Sequence, residues 1–534
     1  MAENENSKDL LSVLWAGADI LRGKMDANEY KNYLLGIVFY KYLSDTFLTH
    51  VYDLLYNQKP ESMAQAQKAY EEIFATEDAE ELLEDIKESY HYTIEPELTY
   101  TKIAESASNN SFQRESLQKA FNNVEQSDSI FANLFADVDL YSTRLGAGEQ
   151  KQSSTIADVV KTINEANLLN HDGDVLGDAY EYLIGQFASE TGKKAGEFYT
   201  PHGPAQLLTR IAIMGQEDKK GLQVYDPCMG SGSLLLSCKN YSNEPGYIKY
   251  YGQELMPSTY NLARMNMFLH KVHPDNQVLR NADTLDADWP TDVETGFDMV
   301  TMNPPYSAKW SAAKGFLQDE RFMDYGGKLA PKSKADYAFL LHGFYHLKQT
   351  GTMAIVLPHG VLFRGAAEKT IRETLLKNGS IYAVIGLPAN MFYNTSIPTC
   401  IIVLKKHREG RDVLFIDASK QFEKEKKQNV MKDEHIEHVL EIYKNRENVE
   451  KEAYLASFED IEENDFNLNI PRYVDTSEEE IPVDLKALTK EIEETNKAIN
   501  EANANFLDML GDLTFADNET KDSVEAFLKV FKEM

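Results

Sequence analysis

The sequence has few of the residues that build disulfide frameworks and metal clusters. Three cysteines, Cys228, Cys238 and Cys400, occur in 534 residues. Their spacing matches neither a disulfide framework nor a zinc site. The 12 histidines show no paired metal spacing either. The sequence therefore predicts a protein with reduced thiols and no metal site.

Long apolar runs are also missing. No stretch reaches the roughly 20 apolar residues that a membrane-spanning helix needs. The acidic N-terminus lacks a signal-peptide pattern. These absences predict a soluble, cytoplasmic protein without membrane contact. With 43% hydrophobic residues over 534 positions, the chain can form two or three domains with a sizeable core.

Basic residues are scarce for a protein that contacts nucleic acid. The chain has 54 Lys and Arg against 86 Asp and Glu, a net charge of -32. Residues 1–150 hold 12 basic and 27 acidic residues and so carry about half of the excess. Phosphate contacts normally supply most non-specific affinity for DNA. The excess must therefore face away from DNA or be compensated by a partner, unless it serves solubility alone.

The most informative segment is an apolar strand, residues 298–302, that runs into Asn303, Pro304, Pro305 and Tyr306. A conjugated amino group is a poor nucleophile because its lone pair is delocalised. Hydrogen bonds to the Asn303 carboxamide and the Pro304 carbonyl would draw such a nitrogen towards tetrahedral geometry. The prolines fix the carbonyl's direction, and Tyr306 offers a stacking face. An ordinary strand-to-turn exit is the alternative, since Asn-Pro commonly opens turns.

A second signal is a turn rich in glycine and serine after a buried strand. Residues 221–226 are predicted to form the strand, residues 227–233 the turn, and a helix is expected from Leu234. Glycines at such a turn allow the backbone to approach a ligand closely. The full dinucleotide spacing is missing, so a phosphate cradle is not the natural interpretation.

Carboxylates follow the next two predicted strands. Residues 250–253 lead to Glu254, the expected place for an acid that binds a ribose hydroxyl pair. Residues 277–279 lead to Asp283, whose carboxylate could accept from an adenine amino group. Each carboxylate alone is more often a helix cap or a solvated loop charge. Their order at successive strand ends is the stronger indication.

Together these segments resemble the motif series of amino-group DNA methyltransferases that use S-adenosylmethionine. The flanking regions are similar to the methyltransferase (M) subunit of type I restriction-modification systems, and the similarity covers nearly the whole chain. Met229 departs from the residue that many relatives carry, without disturbing the glycines. The matching segments are residues 15–23, 40–45, 196–201, 226–233, 303–306, 387–399 and 467–473, with Glu254 and Asp283.

The resemblance implies methyl transfer to the N6 amino group of adenine in duplex DNA, with the base extruded from the helix. The sulfonium is already activated, so positioning and electrostatics suffice for catalysis. It assigns catalysis to Asn303, Pro304, Pro305 and Tyr306. Tyr306 is also a tentative base-stacking residue with Phe392, whose ring could equally be core. It assigns S-adenosylmethionine binding to Glu197, Phe198, Tyr199, Thr200, Pro201, His202, Asp226, Gly230, Ser231, Gly232, Ser233, Glu254 and Asp283.

The resemblance also implies partners. These are a specificity (S) subunit that reads the DNA sequence, a second M subunit, a restriction (R) subunit in the full complex, and double-stranded DNA. We expect the isolated chain to bind cofactor and to methylate DNA poorly. A protein-glutamine methyltransferase, a cytosine-specific enzyme, an inactive scaffold and an acidic DNA mimic are competing interpretations. Intact Asn303, Tyr306 and Glu254 argue against the scaffold.

The predicted fold is an α/β catalytic domain, with a doubly wound, mostly parallel Rossmann-like methyltransferase sheet, between two helical regions. The predicted domains are residues 1–160 (helical), 161–420 (methyltransferase) and 421–534 (helical, for subunit contacts). Residues 146–154 are expected to be a surface connection. Residues 420–452 are expected to be helical.

Two surface segments have alternative interpretations. The helix expected over residues 484–510 carries an apolar stripe that docks on helices of the S subunit or packs on its own domain. The basic segment 326–335, with Lys328, Lys332 and Lys334, contacts DNA phosphates or is an ordinary charged loop.

Overall fold

The computed structural model describes residues 5–166, 175–190, 199–292, 296–392, 395–426, 428–476 and 484–533. The chain forms two compact units, Met1–Asp475 and Thr476–Met534. Within the described ranges, no helix is both long enough and apolar enough to cross a bilayer.

The first unit begins with a helical region around one apolar core. The long second helix buries Leu34, Ile37 and Val38 completely, as their helical spacing predicts. The helices are α1 (Glu5–Arg22), α2 (Ala27–Tyr56), α3 (Met63–Phe74), α4 (Ala79–Tyr90), α5 (Tyr100–Ser108), α6 (Arg114–Ser127), α7 (Glu149–Asn164) and α8 (Val175–Glu190).

The prediction of a surface connection over residues 146–154 was wrong from Glu149 onward, because α7 begins there. Gly148 adopts a φ of 81° and releases the chain into the helix. Gln152, one of the polar residues that suggested a loop, is buried and donates to the Tyr141 carbonyl at 3.2 Å. Thr155, just beyond the predicted connection, donates to the Leu145 carbonyl at 2.8 Å. Polar side chains here bind a neighbouring loop, which composition alone cannot indicate.

The catalytic region is built on a twisted sheet in the order β11-β8-β6-β7-β5-β4-β1-β2-β3. All its strands run parallel except β7 and β11, which confirms the doubly wound, mostly parallel prediction. Its strands are β1 (Gln223–Asp226), β2 (Lys249–Glu254), β3 (Gln277–Asn281), β4 (Phe297–Met302), β5 (Leu347–Pro358), β6 (Ile381–Gly386), β7 (Thr399–Lys405), β8 (Val413–Asp417) and β11 (Ala453–Ala456).

Helices cover both faces of the sheet. Successive strand residues point to opposite faces, so Val224 joins one core and Tyr225 the other. The first face carries α9 (His202–Ile213), α10 (Ser233–Leu236), α11 (Pro257–Leu269) and α14 (Asp433–Asn445). The second carries α12 (Asp336–Tyr345), α13 (Ala366–Lys377) and α15 (Phe458–Glu463).

Strand order places the candidate residues together. Chain order reverses at β1, which has β2 on one side and β4 on the other, both parallel. Ligands of such sheets bind in the crevice at the carboxyl ends of these strands. Asp226, Glu254 and Asn281 end β1, β2 and β3, and Asn303 follows β4 directly.

The α11 helix joins the catalytic region to the helical region. Its residues Leu262, Met265 and Leu269 belong to the core of the N-terminal helices. Asn261 donates to the Asp137 carboxylate at 3.0 Å, and Arg264 donates to backbone carbonyls of residues 130 and 132. The two regions therefore share a core.

The helical prediction for residues 420–452 holds only for α14, Asp433–Asn445, and was wrong before and after it. A short hairpin, β9 (Glu423–Lys424) with β10 (Asn429–Val430), precedes α14. Asn429 donates from its side chain to the Ala389 carbonyl at 2.7 Å, and from its backbone to the Asn390 carbonyl at 2.9 Å. This long-range pairing favours the hairpin over the local helical propensity.

The second unit contains the helix expected over residues 484–510, as α16 (Leu485–Gly511), followed by α17 (Asn518–Glu533). The two helices meet through Phe506, whose ring lies 5.4 Å from that of Phe531 and 6.5 Å from that of Phe527. No residue of α16 is buried, and Leu485 is 71% exposed.

Candidate active site

A cavity lies at the carboxyl edge of the sheet, beside the switch in strand order. It opens to solvent. The turn after β1 and the segment before α9 meet Asn303 here. The lining residues are Tyr199, Thr200, Asp226, Cys228, Met229, Gly230, Ser231, Ser233, Leu234 and Asn303.

The turn after β1 has a shape that requires glycine. Gly230 and Gly232 adopt φ values of 53° and 80°, in the left-handed region. The Met229 amide donates to the Gln253 carbonyl at 3.0 Å, which ties the turn to β2. The helix expected from Leu234 is a single turn, α10, that continues as 3₁₀ helix.

Asp226 accepts a hydrogen bond from the backbone of this turn. It is 2% exposed, and its carboxylate accepts from the Cys228 amide at 2.9 Å. Burial raises the pKa of Asp226 to about 8; the Cys228 hydrogen bond lowers it, and Glu254 raises it further. The carboxyl group is therefore mostly neutral at pH 7 and acts here as a capping group.

The carboxylates after β2 and β3, Glu254 and Asp283, are not among the residues that line the cavity, and each caps its own turn. The Met256 amide donates to Glu254 at 2.8 Å, and the Leu285 amide donates to Asp283 at 3.0 Å. Asn281 joins the turns by donating to the Glu254 carbonyl at 2.8 Å. Glu254 is half-buried and Asp283 is exposed. Both are accessible to a ligand that crosses the strand ends.

Asn303 is held on both sides of its carboxamide. It is 4% exposed, and its Nδ2 donates to the Thr200 hydroxyl at 3.1 Å. The Tyr306 hydroxyl donates to its Oδ1 at 2.8 Å. Burial raises the pKa of Tyr306 well above its ordinary value, with smaller contributions from Cys400 and Asp336, so the phenol stays a donor. A carbonyl oxygen has two acceptor sites, so Oδ1 can accept a second hydrogen.

A residue not foreseen from sequence holds the turn after Tyr306. Ser307 adopts a φ of 53°, and its amide donates to Asp336 at 2.8 Å. Asp336 is buried at the start of α12 and pairs with Arg364. The start of a predicted helix is the available sequence signal, since acids are common there. It does not reveal that this acid reaches back to Ser307.

Phe392 is close to Tyr306 but deeply packed. Its ring lies 6.0 Å from that of Tyr306 in an edge-on arrangement, and 2% of the residue is exposed. Core packing therefore accounts for its position, and base stacking stays a prediction.

The segment before α9 contributes unevenly to the cavity. Glu197 and Phe198 lie outside the described residues. Thr200 is buried in the lining and Tyr199 is half-buried. The other two predicted residues are Pro201, which precedes α9, and His202, which is exposed at its start.

Comparisons with known proteins agree on one family. The model of the N-6 DNA Methylase family matches residues 171–481, and the HsdM N-terminal domain matches residues 10–163. The type I restriction enzyme MpnII methylase subunit of Mycoplasma pneumoniae is 35% identical over 526 residues, covering 94% of this chain and 95% of the relative. The MjaVIII methylase subunit of Methanocaldococcus jannaschii is 31% identical, covering 93% and 82%.

A solved structure is more similar still. The type I restriction-modification methyltransferase subunit of Streptococcus thermophilus is 59% identical with a TM-score of 0.85, covering 88% of this chain and all of that one. The modification subunit of a putative type I restriction enzyme from Vibrio vulnificus shares the fold, at 18% identity and a TM-score of 0.57, covering 88% and 97%.

Proposed function

We propose that this chain, which belongs to the family of type I restriction enzyme methylase subunits, binds S-adenosylmethionine across the ends of β1, β2 and β3 and presents an adenine to it at Asn303. Its reaction is methyl transfer to the N6 amino group of adenine in DNA. The observation that carries the residue assignment is the cavity, in which the glycine turn and Asn303 share one space.

The residues present fit the cofactor. The positive φ values of Gly230 and Gly232 shape a turn whose residues Gly230, Ser231 and Ser233 line the cavity, so its backbone can approach a ligand closely. Glu254 and Asp283 supply acceptors for the hydroxyl and amino hydrogens of an adenosine. When bound, S-adenosylmethionine supplies an electrophilic methyl group on a positively charged sulfur. Thr200 and Tyr199 would adjoin its methionine end.

Asn303 would act on the acceptor. Its Nδ2 is engaged by Thr200, which fixes Oδ1 as the acceptor for an adenine N6 hydrogen. The Pro304 carbonyl would accept the other hydrogen, and Tyr306 would contact the base while orienting Oδ1. The two acceptors would draw the nitrogen out of conjugation. Catalysis then depends on positioning and on fixed dipoles.

The assay that tests the proposal uses the chain with its S subunit, S-adenosylmethionine carrying a labelled methyl group, and duplex DNA. Label recovered as N6-methyladenine supports the proposal. Label in N4-methylcytosine or in protein, with none in adenine, would exclude it. The chain assayed without the S subunit should incorporate little label, because the partner compensates the -32 charge and reads the DNA sequence.

The second unit would dock on helices of the S subunit, in a complex that also holds a second M subunit and, for cleavage, an R subunit. The exposed apolar side chains of α16 support this use, since Leu488 and Ile492 are 41% and 52% exposed. Deletion of Thr476–Met534 should leave donor binding intact and prevent co-purification with the S subunit. Assembly of the truncated chain would contradict it.

The basic segment 326–335 would contact DNA phosphates beside the base site. Lys328 and Lys332 are exposed there. Their joint replacement by alanine should weaken DNA binding by the complex and reduce the slope of log affinity against log salt by about 2. The matched replacement of Lys68 and Lys119, which are exposed on α3 and α6, should leave the slope unchanged. The reaction would take place in the cytoplasm, with the DNA.

A further inference from the structure

Buried side chains donate hydrogen bonds to the turn that follows β3, and none of these side chains lines the cavity. This turn, residues 283–289, begins with Asp283. Arg321 donates to the Leu285 carbonyl at 3.0 Å and to the Thr284 carbonyl at 3.4 Å. Its guanidinium is 1% exposed and lies 4.1 Å from the ring centroid of Trp289. Such close contact over a ring face is a cation–π interaction.

Gln253 holds the other end of the same turn. Its side-chain amide donates to the Ala287 carbonyl at 2.8 Å and to the Asp288 carbonyl at 3.1 Å. Its backbone carbonyl accepts from the Met229 amide in the glycine turn. One fully buried residue of β2 therefore connects the turns after β1 and β3.

Two further side chains join Arg321 to Gln253. Arg321 lies 3.0 Å from His342 Nδ1, and His342 Nε2 lies 2.8 Å from the Tyr225 hydroxyl. That hydroxyl donates to Gln253 Oε1 at 3.3 Å. We call Arg321, His342, Tyr225 and Gln253 the relay.

Hydrogen-bond chemistry fixes every proton in the relay. Arginine only donates, so His342 Nδ1 must accept and its Nε2 must carry the hydrogen. Nε2 then donates to Tyr225, whose own hydrogen goes to Gln253. A neutral imidazole is required. Burial lowers the pKa of His342 well below its ordinary value, and His346 and Arg321 lower it further.

We propose that the relay residues are positioning residues that hold turn 283–289 in the shape that receives the adenine ring of S-adenosylmethionine. The inference rests on the proposed function for the assignment of Asp283. Donor affinity is thus set in part by side chains behind the turn. Arg321 belongs to the segment after Tyr306, so the base-binding side of the site supports the cofactor-binding side.

Tyr225→Phe tests the relay with the smallest change, because it removes one hydroxyl and keeps the ring. Tyr337→Phe is the matched control, since Tyr337 is equally buried and its hydroxyl donates to the Val361 carbonyl at 2.9 Å, outside the relay. Tyr225→Phe should raise the dissociation constant of the full-length chain for S-adenosylmethionine about fivefold, the usual effect of one hydrogen bond. The control should keep the wild-type constant.

Two further readouts separate positioning from general destabilisation. Tyr225→Phe should speed amide hydrogen exchange within residues 284–289, whereas Tyr337→Phe should not. In the complex with the S subunit, kcat at saturating donor should stay within about twofold of wild type while KM for the donor rises. Arg321→Lys, which cannot bond both carbonyls and His342, should raise KM further.

The inference would be overturned if Tyr225→Phe kept the wild-type donor affinity and the wild-type amide exchange. Its melting temperature would then fall only as much as that of Tyr337→Phe. Failure of the proposed function would give a different result, because the wild-type complex would then not methylate adenine. The exchange measurement needs no methyl transfer and tests the hold on the turn in either case.

Discussion

The two walls of the proposed site are built differently. The proposed donor wall consists of the turns after β1, β2 and β3, where backbone shape dominates: glycines in the left-handed region and carboxyl groups that cap their own turns. The acceptor wall is the turn after β4, where side chains from distant segments hold Asn303 and Ser307. A wall made of local backbone tolerates change elsewhere in the chain, whereas a wall made of distant contacts does not.

Asn303→Ala should have the largest effect and should act on the acceptor wall alone. We expect kcat to fall about a thousandfold, the scale for loss of a group that acts in the transition state. Donor affinity should change less than about twofold. Equilibrium binding of S-adenosylmethionine and single-turnover methylation measure the two quantities. Asn261→Ala is the control, a buried Asn outside the cavity. Loss of donor binding in folded Asn303→Ala would mean that the walls are not separate.

Asp336→Ala should lower kcat by up to about a hundredfold, since displacement by about 1 Å costs that much. Ser307 loses its acceptor, while Arg364 keeps Glu368 at 2.9 Å, so no buried charge is stranded. Asp298→Ala is the control. Asp298 is as buried as Asp336, but it lies at the start of β4, whereas Asn303 follows the end of that strand. It pairs with Lys219 at 2.6 Å. Both variants should have a lower melting temperature than wild type. Equal losses of kcat in the two variants would mean that Asp336 acts through stability alone.

Gly232→Ala should weaken donor binding about tenfold. A non-glycine residue in the left-handed region costs about 1–2 kcal/mol. The turn of the variant relieves this strain by relaxing in the free protein, and donor binding must then restore it; about 1.4 kcal/mol is a tenfold change in affinity. Gly215→Ala carries the same strain, at a φ of 82°, with nothing within 4 Å of the new Cβ and no part in the cavity. It should lose stability and keep its donor affinity. Calorimetric titration compares them, and equal affinities would remove the glycine turn from the site.

Asp226 gives the smallest effect, visible as a pH dependence of stability. Its folded pKa of about 8 exceeds the ordinary pKa of an aspartate, so the folded state retains a proton that the unfolded state has lost. That contribution to stability declines as pH rises towards about 8 and levels off above it. Asp226→Asn mimics the neutral form and should gain about 1 kcal/mol on wild type between pH 7 and 9. Parallel curves of unfolding free energy against pH would contradict the raised pKa.

Sequence predicted the donor wall better than the acceptor wall. The strands before Asp226 and Glu254 were identified from short apolar runs, and the positive φ values at Gly230 and Gly232 follow from residue type. On the acceptor wall, the sequence predicted roles for Asn303, Tyr306 and Thr200, but it did not predict the contacts that hold them. Thr200 lies 103 positions from Asn303, and Asp336 lies 29 positions from Ser307, and no local pattern encodes such pairs.

The same limit explains the errors outside the site. The polar residues from Glu149 to Ser154 were taken for a loop, but Gln152 donates to the carbonyls of residues 141 and 142. The charged run before α14 contains a hairpin because Asn429 bonds to residues 389 and 390. In each case a partner distant in the fold determined the conformation.

The contact of α11 with the N-terminal helices limits how relatives can be recombined. Leu262, Met265 and Leu269 lie in the core of those helices, although they belong to the segment that the methylase family model covers. A chimera joined between the two matched segments would set one parent's α11 against the other parent's α2. Such hybrids should aggregate unless the outward face of α11 is exchanged along with the amino-terminal portion.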